Sequence, residues 1–336
     1  MNLVLIGYGG VGKAFIKLLI DKHEKLKSEG LDIKVRGILN SKGGVVSSNS
    51  LDLREVINVG LLENHKDWRT GINYRDILMK EKCDLMVELT QTNKETGEPG
   101  LTHIKYALEN NINVVTGNKG PILVDYEGLK RISEEKGVSL GVGCTTGGAL
   151  PSLNCGLLDL AGANINKVEG ILNGTSNFIL EEMESGLSFK EALDKAQILG
   201  IAEKDPTLDI EGYDTAIKMM ILSKVVLKKN IDINEIKIKG ITAVSKEDIL
   251  KAKNEGKRYK LLGKIECTGN ETSMEVSPIL IEKENMLFNI NGKNKGVKYY
   301  TDTLGEITVI GGASGTVNAA ASILRDIINI HNGYKF

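Results

Sequence analysis

The sequence predicts an α/β chain in which a doubly wound parallel sheet is followed by a second, α+β region. Three observations predict it. Short apolar runs alternate with helical stretches through the first 142 residues. The first run, Asn2–Ile6, opens directly onto a glycine-rich hexapeptide. Beyond Gly143-Cys144-Thr145-Thr146-Gly147-Gly148-Ala149-Leu150-Pro151 the pattern changes to the alternating runs of a mostly antiparallel sheet.

In the first region, Asn2–Ile6 reads as a buried strand, and Gly7-Tyr8-Gly9-Gly10-Val11-Gly12 follows at once. Ala14, Phe15, Leu18 and Leu19 then recur at helical spacing. This is GxGxxG in a strand–turn–helix context, the mark of a Rossmann-type dinucleotide fold. Gly7 permits the tight turn, Gly9 lets backbone approach a pyrophosphate, and Gly12 allows close helix–strand packing. The second strand, Ile33–Leu39, ends in Asn40-Ser41-Lys42 and lacks the carboxylate that usually takes a ribose 2′-hydroxyl. A neutral or basic end leaves room for a 2′-phosphate, so NADP is preferred over NAD. Asn73–Lys80 is expected to be helical, and strand Asp84–Leu89 ends in Glu88-Leu89-Thr90-Gln91-Thr92-Asn93, where parallel sheets bind ligands. Helix Gly100–Asn110 and strand Ile112–Thr116 lead to Gly117-Asn118-Lys119, which sets a lysine on the same rim. Helix Asp125–Lys136 and strand Val138–Val142 complete the alternation.

Composition narrows the possibilities. The 336 residues carry a formal net charge of −1, with 26% charged and 4% aromatic side chains. Neither a basic field nor stacking platforms for nucleic acid are present, and no apolar run approaches the ~18 residues of a membrane span. No basic leader precedes the first strand. Cys83, Cys144, Cys155 and Cys267 form neither a CxxC pair nor a metal spacing, so a reduced, cytoplasmic protein is expected.

In the second region, the glycines of the segment 143–151 allow carbonyls to turn inward, and Pro151 can open a helix. Cys144 at a helix start after a dinucleotide fold suggests the nucleophile of an acylating aldehyde dehydrogenase. That chemistry needs a base, yet of His23, His65, His103 and His331 none falls between Cys144 and the final helix. Strand Lys167–Leu172, helices Asn177–Ser185, Phe189–Leu199 and Ser245–Asn254, and strands near Lys257–Cys267, Thr272–Ile281, Met286–Ile290, Gly296–Tyr300 and Ile307–Ile310 follow. Gly311-Gly312-Ala313-Ser314-Gly315 then opens the last helix, Val317–Ile330. Between these elements, Glu203, Asp205, Asp209, Glu211 and Asp214 crowd a loop that runs into the apolar stretch Ala216–Leu227. Helical spacing puts Asp214 and Lys218 on one face with Ile221, Leu222 and Val225.

Several blocks together resemble homoserine dehydrogenase. They are Val114-Val115-Thr116-Gly117-Asn118-Lys119, Gly170-Ile171-Leu172-Asn173-Gly174-Thr175-Ser176-Asn177, the stretch from Ala196 to Lys218, and the glycine segment Gly311–Gly315. The resemblance spans most of the chain. It implies reversible reduction of L-aspartate 4-semialdehyde to L-homoserine with NAD(P)H, in threonine and methionine biosynthesis. Carried over, Lys218 would be the proton donor, and Lys119 would lie between cofactor and substrate. Glu203 and Asp214 would hold the substrate ammonium, with Asp209 in support. Gly7, Gly9, Val11, Gly12, Thr90, Thr92, Lys119, Gly200, Glu203 and Gly315 would line the cofactor. Backbone carbonyls of Gly143, Thr146, Gly148 and Leu150 would hold a sodium ion, although Gly143 stands where the family usually has Glu. Residues 1–142, completed by 312–336, would form the dinucleotide domain, and residues 143–311 the substrate and dimerisation domain of a homodimer. The chain ends soon after its last helix, so an appended regulatory domain is not expected. The rival readings are the acylating dehydrogenase with Cys144 as nucleophile and a non-catalytic NADP-binding sensor.

Overall fold

The computed structural model describes residues 1–269 and 271–334. The chain divides into two compact units, Met1–Thr145 with Gly315–Phe336, and Thr146–Ser314. Lys335 and Phe336, part of the expected first domain, lie outside the described residues.

The first unit holds a seven-stranded sheet of order β4-β3-β2-β1-β5-β6-β7. Its parallel core is β1 (Asn2–Ile6), β2 (Lys34–Asn40), β5 (Leu85–Glu88), β6 (Asn113–Thr116) and β7 (Leu140–Gly141). The expected doubly wound fold is present, with one feature that the periodicity concealed. After β2 the chain folds back as β3 (Gly43–Val46) and β4 (Trp68–Thr70), both antiparallel. Between them runs α2 (Leu53–Asn58). Gly43 and Gly44 hide β3 from a propensity reading, yet both are needed, since a Cβ on Gly43 would lie 2.2 Å from the Arg69 carbonyl oxygen.

The helices of this unit are α1 (Gly10–Ser28), α3 (Tyr74–Lys80), α4 (Gly100–Glu109), α5 (Lys119–Lys136) and α13 (Thr316–His331). Helix α5 starts six residues before the expected position, and a break at Asp125 (φ −148°, ψ 48°) accounts for the difference. From α13, Ala320, Ile323, Leu324 and Ile327 join Leu3, Leu5, Phe15 and Ile16 in one core. Asp326 on α13 is fully buried, and its Oδ2 accepts from the Gly143 N–H at 2.8 Å.

The second unit begins within α6 (Cys144–Gly147) and α7 (Ser152–Asn154). Its sheet has the order β13-β12-β8-β10-β11-β9. The strands are β8 (Ile165–Ile171), β9 (Lys237–Ile238), β10 (Arg258–Thr268), β11 (Glu271–Ile281), β12 (Lys295–Thr301) and β13 (Glu306–Gly311). Every pairing is antiparallel except β11 with β9. One expected strand is absent: residues 286–290 form turns. Their apolar side chains Leu287 and Ile290 are core-facing anchors of a loop that packs on Ile171 and Leu262, so local alternation misled. Helices α8 (Gly174–Glu184), α9 (Phe189–Ile198), α10 (Thr207–Ile210), α11 (Tyr213–Leu222) and α12 (Lys246–Asn254) cover one core with Leu261 and Val276. Capping boxes at Ser188–Glu191 and Ser245–Asp248 start α9 and α12.

Lys260 on β10 is 1% exposed, and its Nζ donates to Asn177 Oδ1 at 2.8 Å and to the Ile290 carbonyl at 2.5 Å. Burial first, and then the Arg258 guanidinium, pull this ammonium down to about 8. Its folded value therefore lies below the unfolded one, near 10.5. Folding is penalised while the lysine stays charged, and the penalty is relieved as pH rises through that window. Wild-type stability should accordingly gain on a Lys260→Met variant between pH 7.5 and 9.5, read as the difference in urea midpoints; parallel curves would contradict the assignment.

Candidate active site

In the first unit, the carboxyl ends of β1, β5 and β6 lie side by side, with Ile6 opposite Glu88 and Glu88 opposite Thr116. Gly7 (φ +102°) turns the chain there, and a Cβ on it would lie 2.4 Å from the Leu89 carbonyl oxygen. Gly12 is equally tight, 2.4 Å from the Gly7 oxygen, whereas Gly9 faces open space. Gly9 caps α1 without a side-chain hydrogen bond, so the first-turn N–H groups are left to an outside acceptor. Val11 is half-buried in that turn. A cleft of about 790 Å³ is lined by Gly7, Tyr8, Gly9, Asn40, Ser41, Leu89 and Thr90. The donor set and the cleft fit a dinucleotide pyrophosphate at the helix terminus.

At the end of β2, Asn40 Oδ1 accepts from the N–H groups of Lys42 (2.8 Å) and Gly43 (3.2 Å). Sequence order concealed a carboxylate at this rim. Glu63 accepts from Asn40 Nδ2 at 3.3 Å and pairs with Lys42 Nζ at 3.4 Å. It arrives from a single helical turn, Leu62–Asn64, 23 residues away.

Glu88 is fully buried. Its carboxylate accepts from the Thr90 N–H at 2.9 Å, from the Thr90 hydroxyl, and from Thr116 Oγ1 at 3.2 Å. Asn118 Nδ2 reaches Thr90 Oγ1 at 3.3 Å while its Oδ1 caps α5. Thr90 and Lys119 are therefore mounted on a rigid polar frame. Lys119 is half-buried in the first turn of α5, where the helix dipole disfavours a cation. Thr92 lies apart from Thr90, in a surface hollow of about 620 Å³ with Gln91 and Asn93. Gly315 (φ +148°) is exposed at the start of α13.

Cys144 Sγ donates to the Ala319 carbonyl at 3.6 Å and packs with the first unit's core.

In the second unit, the cluster begins with two glycines. Gly170 on β8 pairs with Gly263 on β10, and Met219 of α11 lies over both. A Cβ on Gly263 would sit 2.5 Å from Met219 Cγ, and one on Gly170 would sit 3.2 Å from Met219 Sδ. The missing side chains let α11 lie close on the sheet. Lys218, one residue earlier, then reaches the chain beyond β8 and donates to the Leu172 carbonyl at 2.8 Å. It also donates to Asp214 Oδ2, four residues before it. The two side chains are only 12% and 16% exposed. Among the described residues, the third N–H of Lys218 has no protein acceptor.

Asn173 completes the cluster, and the sequence reading missed it. Its Oδ1 caps α8 through the Ser176 N–H at 2.9 Å. Its Nδ2 donates to Asp209 Oδ1 at 2.5 Å and to Asp214 Oδ2 at 2.9 Å. One amide thus ties Asp209, Asp214 and Lys218 together. An Asn at a helix cap was legible; its second task, 36 and 41 residues away, was not.

The loop before α11 is looser. Gln197 Nε2 donates to the Glu203 carbonyl at 3.1 Å, but the Glu203 carboxylate is exposed and makes no hydrogen bond or ion pair among the described residues. Gly200 (φ +64°) turns into open space. The Asp205 carboxyl is held below its usual range by the Thr207 hydroxyl and N–H, so this residue shapes the loop. Of the four expected carbonyl ligands, Gly143 belongs to the first unit, and Thr146, Gly148 and Leu150 to the second. The Leu150 carbonyl is engaged by the Ser152 N–H at 2.8 Å.

Gly263→Ala should cost about 1–3 kcal/mol by overpacking against Met219. Its effect should be non-additive with Met219→Ala in a thermal-denaturation cycle; strict additivity would mean that α11 does not rest on the glycine pair.

Known proteins resemble this chain in sequence and in fold. The family model for homoserine dehydrogenase matches residues 151–328. A homoserine dehydrogenase of Methanocaldococcus jannaschii is 37% identical over 340 residues, covering 100% of both chains. An NAD(+)-dependent homoserine dehydrogenase of Pseudomonas canavaninivorans is 34% identical, covering 98% of this chain and 96% of its own. A solved hyperthermophilic archaeal homoserine dehydrogenase, in complex with NADPH, superposes with a TM-score of 0.83 at 25% identity, covering 99% of this chain and 98% of that one. With a relative 37% identical over the whole of both chains and a family model matched across residues 151–328, the chain belongs to the homoserine dehydrogenase family.

Proposed function

We propose that this protein interconverts L-homoserine and L-aspartate 4-semialdehyde with a nicotinamide dinucleotide, as a step of threonine and methionine biosynthesis. The observation that carries the reading is the Asn173–Asp214–Lys218 cluster, whose lysine keeps one N–H for a substrate oxygen. The bound nicotinamide supplies or takes the hydride at the substrate carbon. Gly7, Gly9, Val11 and Gly12 hold the dinucleotide, and Thr90, Thr92, Lys119, Gly200 and Gly315 line it.

As the aldehyde carbon is reduced, negative charge grows on its oxygen. Lys218 Nζ stabilises that charge and donates the proton. In the alcohol direction the same nitrogen accepts it. Asp214 and the Leu172 carbonyl fix the ammonium in place, so no reorganisation is needed at the moment of transfer. Asp214 and the uncommitted Glu203 carboxylate give the substrate's ammonium two anionic partners, with Asp209 steadying Asp214 through Asn173. Lys119 adds a second cation for the reacting end of the substrate.

NADP is the favoured cofactor. β2 ends without a carboxylate of its own, and Lys42 is 74% exposed, paired with Glu63 by a surface contact that a 2′-phosphate can replace. A homodimer through the second unit's sheet is supported by exposed Leu280, Met286 and Ile310 on or beside it. We assign the enzyme to the cytoplasm; separately, no helix among the described residues is long and apolar enough to cross a membrane.

Lys218→Ala should lower turnover by ~10²-fold or more with cofactor binding nearly unchanged, whereas Cys144→Ser should stay active; the reverse pattern would favour thioester chemistry. Homoserine should reduce NADP faster than NAD, and 4-hydroxybutyrate, which lacks the ammonium, should be a poor substrate for either. Lys42→Ala should lower the NADP-to-NAD ratio of kcat/KM by ~10-fold, the value of one lost charge-assisted contact. An unchanged ratio would remove Lys42 from cofactor choice.

A further inference from the structure

The segment 146–150 is where inward carbonyls were expected to gather around a sodium ion, and a cation is already there. Lys295, the first residue of β12, is 3% exposed, and its Nζ donates to the Gly147 carbonyl at 3.0 Å. The same Nζ lies 3.7 Å from the point where a Cβ on Gly148 would sit, and the Ala313 carbonyl oxygen lies 3.8 Å from that point. Gly148 has φ +63°, a left-handed backbone angle that favours glycine at this turn. The glycine segment after β13 closes the arrangement: a Cβ on Gly312 would fall 2.2 Å from the Leu150 nitrogen. The loop thus meets the Lys295 ammonium on one side and the residues after β13 on the other, within the second unit.

We propose that the Lys295 ammonium is the resident cation of this loop and makes a bound monovalent metal ion unnecessary. A buried ammonium is costly unless oxygen acceptors surround it, and a loop of inward carbonyls is costly unless a cation faces it. Each requirement meets the other here. A sodium ion on the neighbouring carbonyls of Thr146, Gly148 and Leu150 would face the ammonium held at Gly147, in surroundings that screen repulsion poorly, and the Leu150 carbonyl already accepts from the Ser152 N–H. The expected sodium ligands therefore do not fit a metal ion in this chain. The inference is independent of the reading of Lys218, because its primary readout is stability.

The test compares thermal midpoints in NaCl, KCl and choline chloride at equal ionic strength. The wild-type midpoint should be the same in all three. Lys295→Met, which keeps the length and removes the charge, should melt about 5 °C lower in choline chloride, the shift expected for a lost buried charge-assisted hydrogen bond. Millimolar sodium or potassium should restore it saturably. A saturable sodium-dependent rise in the wild-type midpoint would overturn the proposal, and so would a Lys295→Met protein as stable as wild type in choline chloride. Should the variant fail to fold, the wild-type titration still decides.

Discussion

The close seat of α11 on the second sheet is the constraint on which the chemistry depends. Gly170 and Gly263 are neighbours on adjacent strands, and Met219 fills the space their side chains would take. A helix held farther out would separate Lys218 from the Leu172 carbonyl and Asp214 from Asn173. The Asp214–Lys218 pair is thus more than a helical pair four residues apart. Such a pair in water contributes ~0.3–0.5 kcal/mol. Here both partners are mostly shielded and tied to a third group, so removing either leaves a charge without its counterpart, a loss of ~3–5 kcal/mol in buried settings. The arrangement serves orientation first and stability second.

Much of this was legible in the sequence, and the limits are physical. The glycine hexapeptide, the alternation of the first unit and the helix caps at Ser188 and Ser245 depend on local chemistry, and local chemistry is what a sequence displays. Strand β3 was hidden because Gly43 is demanded by β4 and Gly44 by β2 rather than by β3 itself. Residues 286–290 alternate like a strand because Leu287 and Ile290 anchor a loop. Asn173 and Glu63 act on groups distant in the sequence, Glu63 on Asn40 23 residues away, and no spacing rule connects them. Residue roles inferred from resemblance also meet unequal geometry: Asp209, Asp214 and Lys218 share one network, while Glu203 stands outside it.

Lysine is used in this fold in ways its usual place at surfaces does not suggest. Lys260 and Lys295 are buried against carbonyl oxygens of the main chain. Lys119 sits at a helix end that disfavours it, and Lys218 lies against a helix face otherwise apolar. Lys218, Lys260 and Lys295 each hold a backbone carbonyl. The cost of shielding a charge is offset by acceptors drawn from the main chain, whose positions are set by the fold and not by flexible side chains.

The placement of α13 bears on how the chain is made. Phe15, Leu3 and Leu5 share a core with Ile323 and Ile327, which are synthesised some 300 residues later. The second unit is one continuous segment and has all its strands before α13 is translated. During synthesis the first sheet therefore waits with an apolar face uncovered until the last helix leaves the ribosome. For a domain that folds as a unit, this interval is when its exposed core can meet a chaperone or another nascent chain. The order of the gene thus delays the dinucleotide fold, although its residues come first.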